Sequence, residues 1–262
     1  MNEEKLVEKV MEELMKKAGG AEAAPAPVAE PKKFCGLTEF VGTAIGNTIG
    51  LVIANVDFNL HEKMGLDKKY RSIGILSART GAGPQIFAAD EAVKATNTEI
   101  VSIELARDTE GGAGHGSLII FGAEEVSDAR RAIEVALKDL DRTFGDVYAN
   151  SAGHLEFQYT ARASFALEKA FGAPVGKAFG IIVGAPAGIG VLMCDTAVKA
   201  ATVEVIGYAS PAAGTSHSNE AILFISGDSG AVRQAIIAAR EVGKQLLEVM
   251  AGPAPAVTTP YI

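Results

Sequence analysis

Two glycine-rich turns are the first places in this sequence where the residue types could hold a ligand. Residues 77–85 read SARTGAGPQ and residues 183–191 read VGAPAGIGV, each between a predicted strand and a predicted helix. Glycines before a helix N-terminus expose backbone N–H groups that can bind phosphate. Neither segment completes the dinucleotide pattern G-x-G-x-x-G, and neither carries the G-K-[S/T] of a phosphate-binding loop. We therefore interpret both as tight turns whose glycines allow close packing of strand and helix.

The histidines and cysteines form no catalytic or metal-binding pattern. The four histidines have no mutual spacing typical of metal ligands; they are His61, His115, His154 and His217. Ser216 beside His217 lacks the third group that a catalytic triad requires. Cys35 and Cys194 lie in unlike contexts and are interpreted as two reduced thiols. We predict no catalytic residue, no metal site and no cofactor.

Small polar residues gather in two loops at corresponding places along the chain. Residues 109–117 and 211–220 combine glycines with hydroxyl and amide side chains of little bulk. A ring of such loops would form a narrow wet aperture, where small uncharged polar molecules exchange hydrogen bonds with water for hydrogen bonds with the loops. The candidate residues for a pore or central loop are Gly111, Gly112, Gly114, His115, Ser117, Thr215, Ser216, His217, Ser218 and Asn219.

These loops belong to a chain that repeats itself. Residues 88–95 read AADEAVKA and residues 193–200 read MCDTAVKA, and further matches follow on both sides. So long a period indicates a duplicated domain rather than a solenoid repeat of roughly 20–50 residues, and each copy is large enough to fold alone. Hydrophobic residues make up 48% of the chain and charged residues only 21%. This apolar excess predicts burial between subunits.

Each unit is predicted to contain strand, helix, strand, strand and helix, with an extra strand and a short helix placed in front. Residues 38–57 are predicted as strands with a turn near 46–47, and Ser127 is predicted to cap a long helix. This order is a ferredoxin-like α/β sandwich with a moved start point. The predicted helices are 58–65, 85–96, 127–141, 165–171, 191–201 and 230–250, and the other predicted strands are 72–78, 99–105, 118–122, 155–163, 180–184, 203–209 and 222–227.

The beginning of the chain is predicted to lie outside the two units. Residues 3–17 form an amphipathic helix and 19–33 an Ala/Pro linker with little to bury. A lone helix of this length is marginal in water, so it docks on a partner, packs back on its own domain or stays frayed. The predicted domains are 1–36 (helix and linker), 37–145 (first unit), 146–250 (second unit) and 251–262 (irregular tail).

Charge and hydropathy exclude two classes of partner. The net charge of −8 offers no basic surface for nucleic acid. The most apolar run, residues 179–194, is interrupted by proline and glycines and is shorter than the roughly 20 residues of a membrane span. The charged first 18 residues do not form a signal peptide. We predict that the protein binds neither nucleic acid nor a membrane.

The second unit resembles the bacterial microcompartment shell domain. It shares that family's D-x-A-V-K-A helix, a G-Y strand at 207–208, a short Gly/Ser loop, an apolar strand and then G-D-x-G-A-V at 227–232. The first unit keeps D-E-A-V-K-A but has FGAEEVSD in place of the last motif. The whole chain is similar to the tandem-domain class of shell proteins from propanediol-utilisation microcompartments. The segments that carry this similarity are EFVGTAIGNTIGLVIANVD, YRSIGIL, ARTGAGP, RTFGDVYAN and QYTARAS.

The resemblance implies two tandem, circularly permuted domains in a homotrimer that forms a flat pseudo-hexagonal tile. Such tiles join other shell proteins around encapsulated enzymes in a microcompartment in the cytoplasm, and have no enzymatic activity. Pores between the tandem domains would pass small polar metabolites such as 1,2-propanediol or glycerol; the turn residues Arg79, Thr80, Gly81 and Gly83 are the candidates for their lining. The N-terminal helix would join shell to cargo. Neither loop contains cysteine, so we predict no iron–sulfur cluster.

The family also implies which residues meet a neighbouring tile. Lys94 and Lys199 occupy the lysine of the D-x-A-V-K-A helix, which lies along its counterpart across the tile boundary. Arg162 matches an arginine used at the same edge, whereas the first unit has Asn55 there. The edge of the second unit is therefore expected to bind neighbours more strongly.

One alternative function remains open at this point. A two-domain enzyme that binds a nucleotide or another small ligand would use the glycine turns. Flat hexagonal particles would favour the tile, and a nucleotide retained through purification would favour the enzyme.

Overall fold

Among the residues that the structure describes, the first half of the fold contains five strands and three helices. The structure is a computed structural model that describes residues 36–79, 81–106, 116–212, 219–257 and 259–262. The elements of the first half are β1 (Phe40–Ala44), β2 (Thr48–Ile53), α1 (Phe58–Lys63), β3 (Ser72–Ala78), α2 (Gly83–Lys94), β4 (Glu99–Ala106), β5 (Gly116–Ala123) and α3 (Val126–Thr143).

The second half repeats this order element by element. Its elements are β6 (Val147–Asn150), β7 (Gly153–Thr160), α4 (Phe165–Phe171), β8 (Ala178–Ala185), α5 (Ala187–Ala200), β9 (Glu204–Ala209), β10 (Ala221–Gly227) and α6 (Ser229–Ala251). The sheet orders are β1-β2-β3-β5-β4 and β6-β7-β8-β10-β9, with antiparallel pairing throughout. The predicted duplication of a ferredoxin-like unit is confirmed.

Glycines on the central strands let the long helices lie close to each sheet. A Cβ at Gly74 of β3 would lie 3.1 Å from the carbonyl oxygen of Ala129 in α3. A Cβ at Gly180 of β8 would lie 2.7 Å from Cδ1 of Ile236 in α6. Any larger residue would push these helices away from the apolar strands and open the core.

The tail after α6, for which the sequence predicts irregular structure, is anchored on the second half of the fold. The fully buried carboxylate of Asp146 accepts backbone N–H bonds from Tyr261 (2.7 Å) and Ile262 (3.1 Å). Nη1 of Arg240 lies 3.3 Å from the same carboxylate. Because a buried carboxylate needs such partners, Asp146 fixes the end of the chain on the second half.

The clearest differences between the predictions and the structure are one missed strand and the beginnings of two helices. Strand β6 was not predicted, because its four residues give too short an alternation to recognise. Helix α3 begins at Val126, with Glu125 at the N-cap position, so the prediction that Ser127 caps this helix is wrong. Helix α5 begins at Ala187 rather than at 191, because the glycines at 188 and 190 lie within the helix.

Candidate functional site

A buried polar contact joins helix α2 of the first half to helix α4 of the second. The buried carboxylate of Asp90 accepts backbone N–H bonds from Ser164 (3.0 Å) and Leu167 (3.2 Å). Among the described residues, the side chain of Ser164 makes no capping hydrogen bond of its own. Asp90 therefore caps α4 across the boundary between the halves.

Lys94 completes this contact from one turn further along α2. Its Nζ lies 3.3 Å from Asp90 Oδ2 and 2.5 Å from Glu91 Oε1, and donates to the carbonyl oxygen of Arg162 at 3.0 Å. Burial raises the pKa of Asp90, while the nearby Lys94 and the backbone N–H donors lower it. One cation thus balances two carboxylates and ties α2 to the residues that precede α4.

Apolar packing surrounds the polar contact. Phe87 of α2 stacks on Phe179 with ring centroids 6.0 Å apart, and Phe171 of α4 lies 5.8 Å from Phe179 and 5.0 Å from Phe224. Leu167 is fully buried against the same cluster. Each such side chain contributes about 1.5–3 kcal/mol when it leaves water, so this boundary between the halves is a stable part of the core.

Helix α5 repeats the sequence of α2, but its corresponding face is exposed. Ile86 and Phe87 are 0% and 1% exposed, whereas their counterparts Val191 and Leu192 are 50% and 45% exposed.

The aspartate and lysine of the two helices differ in exposure in the same way. The side chain of Asp90 is 1% exposed and that of Asp195 is 50% exposed. The side chain of Lys199 is 73% exposed, against 23% for Lys94.

Helix α1 is the matching counterpart of α4. Leu60 is 47% exposed, whereas the corresponding Leu167 is fully buried. Phe58 and Met64 are exposed on the same short helix. Val205 and Tyr208 of β9 are exposed where Ile100 and Ile103 of β4 pack into the core. The chain therefore presents two apolar surfaces, α5 with β9 and α1, which correspond to the two sides of its internal contact.

Polar groups from both halves also meet near the turn at 79–84. A Cβ at Gly83 would lie 3.0 Å from Gln158 Oε1 of β7, and Gln158 donates to Glu156 Oε1 at 2.5 Å. The buried Gln85 donates to Thr48 Oγ1 at 3.1 Å. Desolvation raises the pKa of Glu156. Gly83 thus lies beside polar side chains of the second half.

Close to Glu156, His154 pairs with a carboxylate of the loop before β10. Its Nε2 lies 3.4 Å from Glu220 Oε1. The hydrogen bond to Glu220 raises the pKa of His154, and desolvation by burial opposes that shift.

Only some of the pore and loop residues predicted from the sequence lie in the described part of the chain. Arg79 is exposed, and Gly81 and Gly83 lie at the polar junction, while Thr80 lies outside the described residues. Ser117 is buried in β5, where its carbonyl accepts a bond from Ser77. Asn219 is exposed, and its side chain accepts a bond from the backbone N–H of Ala187. The other central-loop candidates lie outside the described residues: Gly111, Gly112, Gly114, His115, Thr215, Ser216, His217 and Ser218.

The tile-edge residues Lys94 and Arg162 contact each other within the chain, and Lys199 pairs with Asp195 at 2.6 Å. Contact of these residues with a neighbouring tile stays a prediction. The sequence analysis missed the capping role of Asp90, although the repeated D-x-A-V-K-A segment contains that aspartate as well as the lysine.

At the second glycine-rich segment, the glycine at 190 lies in helix α5 and not in a turn, and it allows the predicted close packing of strand and helix. A Cβ at Gly190 would lie 2.5 Å from the carbonyl oxygen of Gly184, so α5 can approach β8 only without a side chain there.

In the described part of the chain, no group of three His, Cys, Asp or Glu residues could hold a metal ion. Burial raises the pKa of the free Cys194 thiol to about 11, and Cys35 lies outside the described residues. No helix among those described is long and apolar enough to cross a membrane.

Comparison with known proteins places these features in a family. The BMC domain model matches residues 72–152 and 178–255. The chain is 67% identical over 255 residues to the bacterial microcompartment shell protein PduB of Citrobacter freundii, with 94% of each chain covered.

Two solved structures are also similar. A trimeric bacterial microcompartment shell protein PduB has a TM-score of 0.81 and 55% identity, covering 86% of this chain and all of that one. EtuB from Clostridium kluyveri has a TM-score of 0.82 and 58% identity, with 86% and 99% covered.

Proposed function

The chain belongs to the BMC-domain family of bacterial microcompartment shell proteins, and we propose that three copies close into one pseudo-hexagonal tile of such a shell. It is a structural protein and not an enzyme, so the alternative of a nucleotide-binding enzyme has no support. The tile is the function that the duplicated fold serves, because two similar halves in each chain offer six similar wedges to a ring of three.

This proposal rests on one observation: the two surfaces that are buried against each other inside the chain have counterparts that are exposed. Within the chain, the face of α2 is covered by α4. The same face of α5 is exposed, and so is α1, the counterpart of α4. If α5 of one copy packs on α1 of the next, every half contacts its neighbours in the same way, and the ring leaves none of these apolar faces in water.

The oligomeric state tests the tile. Mass photometry of the full-length protein between nanomolar and micromolar concentration should show particles of three chains, and electron microscopy at higher concentration should show flat hexagonal particles or sheets. A protein that remains monomeric at micromolar concentration would contradict the proposal.

We further propose that small uncharged polar molecules, such as 1,2-propanediol or glycerol, cross the tile between the halves near the turn at 79–84. The support is the set of polar side chains there, with Gln158 beside Gly83. The loops 109–117 and 211–220 would surround the three-fold axis. Crystals soaked in glycerol should show density beside Gln158; density confined to other sites would contradict this route.

The N-terminal segment is proposed to attach encapsulated enzymes, because its apolar stripe is separated from the fold by the Ala/Pro linker. Deletion of residues 1–33 should leave the trimer intact and release the cargo. Loss of trimers on deletion would contradict this role.

A further inference from the structure

The two sides of the proposed contact between copies differ from the internal contact at one capping residue. Ser164 precedes α4, and the corresponding residue before α1 is Asp57. Asp57 caps its own helix, because Oδ1 accepts backbone N–H bonds from Asn59 (2.9 Å) and Leu60 (3.4 Å). Helix α1 therefore brings a carboxylate to the place where α4 brings only backbone donors.

A second difference compensates for this added charge. Glu91 of α2, which pairs with Lys94, is replaced by Thr196 in α5. Lys199 of α5 thus keeps Asp195 as a carboxylate neighbour at 2.6 Å and lacks the second one on its own helix. The internal contact has one lysine with two carboxylates, both on α2. The contact between copies would have the same set with one carboxylate on each copy.

We propose that Lys199 forms an ion pair with Asp57 of the partner subunit, so that the lysine lies between two carboxylates contributed by two copies of one tile, instead of meeting a neighbouring tile as the family resemblance implied. This inference rests on the proposed trimer. Its physical basis is that two carboxylates brought together at a partly desolvated contact repel each other unless a cation lies between them. Lys94 occupies such a place in the internal contact, where its Nζ reaches Asp90, Glu91 and the carbonyl oxygen of Arg162.

The internal contact and the contact between copies would share one geometry but differ in when their ion pairs form. The internal contact keeps all its charged side chains on one helix, so its ion pairs form before the halves meet. The contact between copies gains an ion pair only on association. Association of the copies should therefore be weakened by salt, which screens charges that are exposed in the free chains.

A double-mutant cycle tests the pair in the full-length protein. Lys199→Gln removes the cation and leaves Asp195 facing Asp57 of the partner subunit. Asp57→Asn removes one carboxylate and keeps a good helix cap, since Asn caps helices as well as Asp. The dissociation constant of the trimer would be measured by dilution in mass photometry for the wild type, both single variants and the double variant. Lys138→Gln, an exposed lysine on α3, serves as the matched control.

We expect Lys199→Gln to raise the dissociation constant of the trimer about tenfold. The double variant should have a dissociation constant at least about threefold lower than that of Lys199→Gln alone, because substitutions at neighbours that interact are not additive. Lys138→Gln should leave it unchanged. If the wild type is trimeric and the effects of the two single substitutions on the dissociation constant simply multiply in the double variant, the ion pair is overturned and the tile stands. Absence of a wild-type trimer would overturn the tile itself. Circular dichroism melting of each variant establishes that the chain is folded.

Discussion

At the scale of single residues, Asp90 is the group on which the internal contact depends most. It is a buried carboxylate whose two backbone partners belong to the other half of the molecule. Its removal leaves two buried N–H groups without an acceptor, and a helix without its cap. Such losses cost about 1–3 kcal/mol each, which is a large fraction of the stability of most domains.

Asp90→Ala is therefore expected to lower the free energy of unfolding by about 2 kcal/mol or more. Chemical denaturation followed by circular dichroism measures this change. Asp141→Ala, at an exposed position on α3, is the control and should change stability little. Equal effects from both substitutions would show that Asp90 does not cap α4.

His154 gives the fold a dependence on pH. Its pKa in the folded chain is raised above the ordinary value of 6.5, mainly by the hydrogen bond to Glu220. The stabilisation from this pair is fully present below about pH 6.5 and is lost as pH rises through the higher folded pKa. We expect the stability of the wild type, relative to His154→Gln, to fall as the pH rises above about 6.5. Parallel pH profiles of the two proteins would contradict this assignment.

At the scale of elements, the pattern of the sequence predicts most of the fold. The strand at 72–78 and the short helix at 165–171 have the predicted bounds, because apolar runs and turn residues delimit them clearly. Strand β6 and the start of α5 could not be predicted in the same way. A four-residue strand has too few alternations, and two glycines at the beginning of α5 resemble a turn, although they are there to let the helix pack on β8.

The candidate site was only partly accessible from the sequence. The repeated D-x-A-V-K-A segment drew attention to Lys94 and Lys199. The contact of Asp90 with the backbone of α4 depends on how the two halves pack, over 70 residues apart in the chain. The difference in exposure between α2 and α5 depends on the same packing, because the two helices have similar sequences.

Leu192 tests the exposed face of α5. Leu192→Asp changes a side chain that is exposed in the isolated chain. The free energy of unfolding of that chain should therefore change by about 0.5 kcal/mol or less. The trimer should dissociate at micromolar concentration, because a carboxylate would be buried in the contact between copies. The control is Val249→Asp, an exposed apolar residue on α6. Trimers that persist in Leu192→Asp would exclude α5 from the contact.

At the scale of the whole molecule, each chain already contains half of the contacts that its share of the ring requires. The contact between its own two halves is built in, and the equivalent contact must form between chains. A tile of three chains then needs three contacts between copies rather than six. Fewer separate copies also lose less translational and rotational freedom on assembly, which favours a complete ring.

Assembly of tiles into sheets is expected to use the two halves unequally. Arg162 is exposed before α4, and the corresponding residue before α1 is Asn55, also exposed. Arg162→Ala should impair sheet formation in electron micrographs more than Asn55→Ala, with both proteins trimeric by mass photometry. Equal sheet defects from the two variants would remove the proposed asymmetry of the edges.

An experimental structure of the assembled particle, by cryo-electron microscopy or crystallography, tests the central claim most directly. We expect α5 and β9 of one copy to cover α1 of the next, with Leu192 and Leu60 buried there as Phe87 and Leu167 are buried within the chain. A particle in which α5 faces solvent, or packs on α5 of another copy, would contradict it.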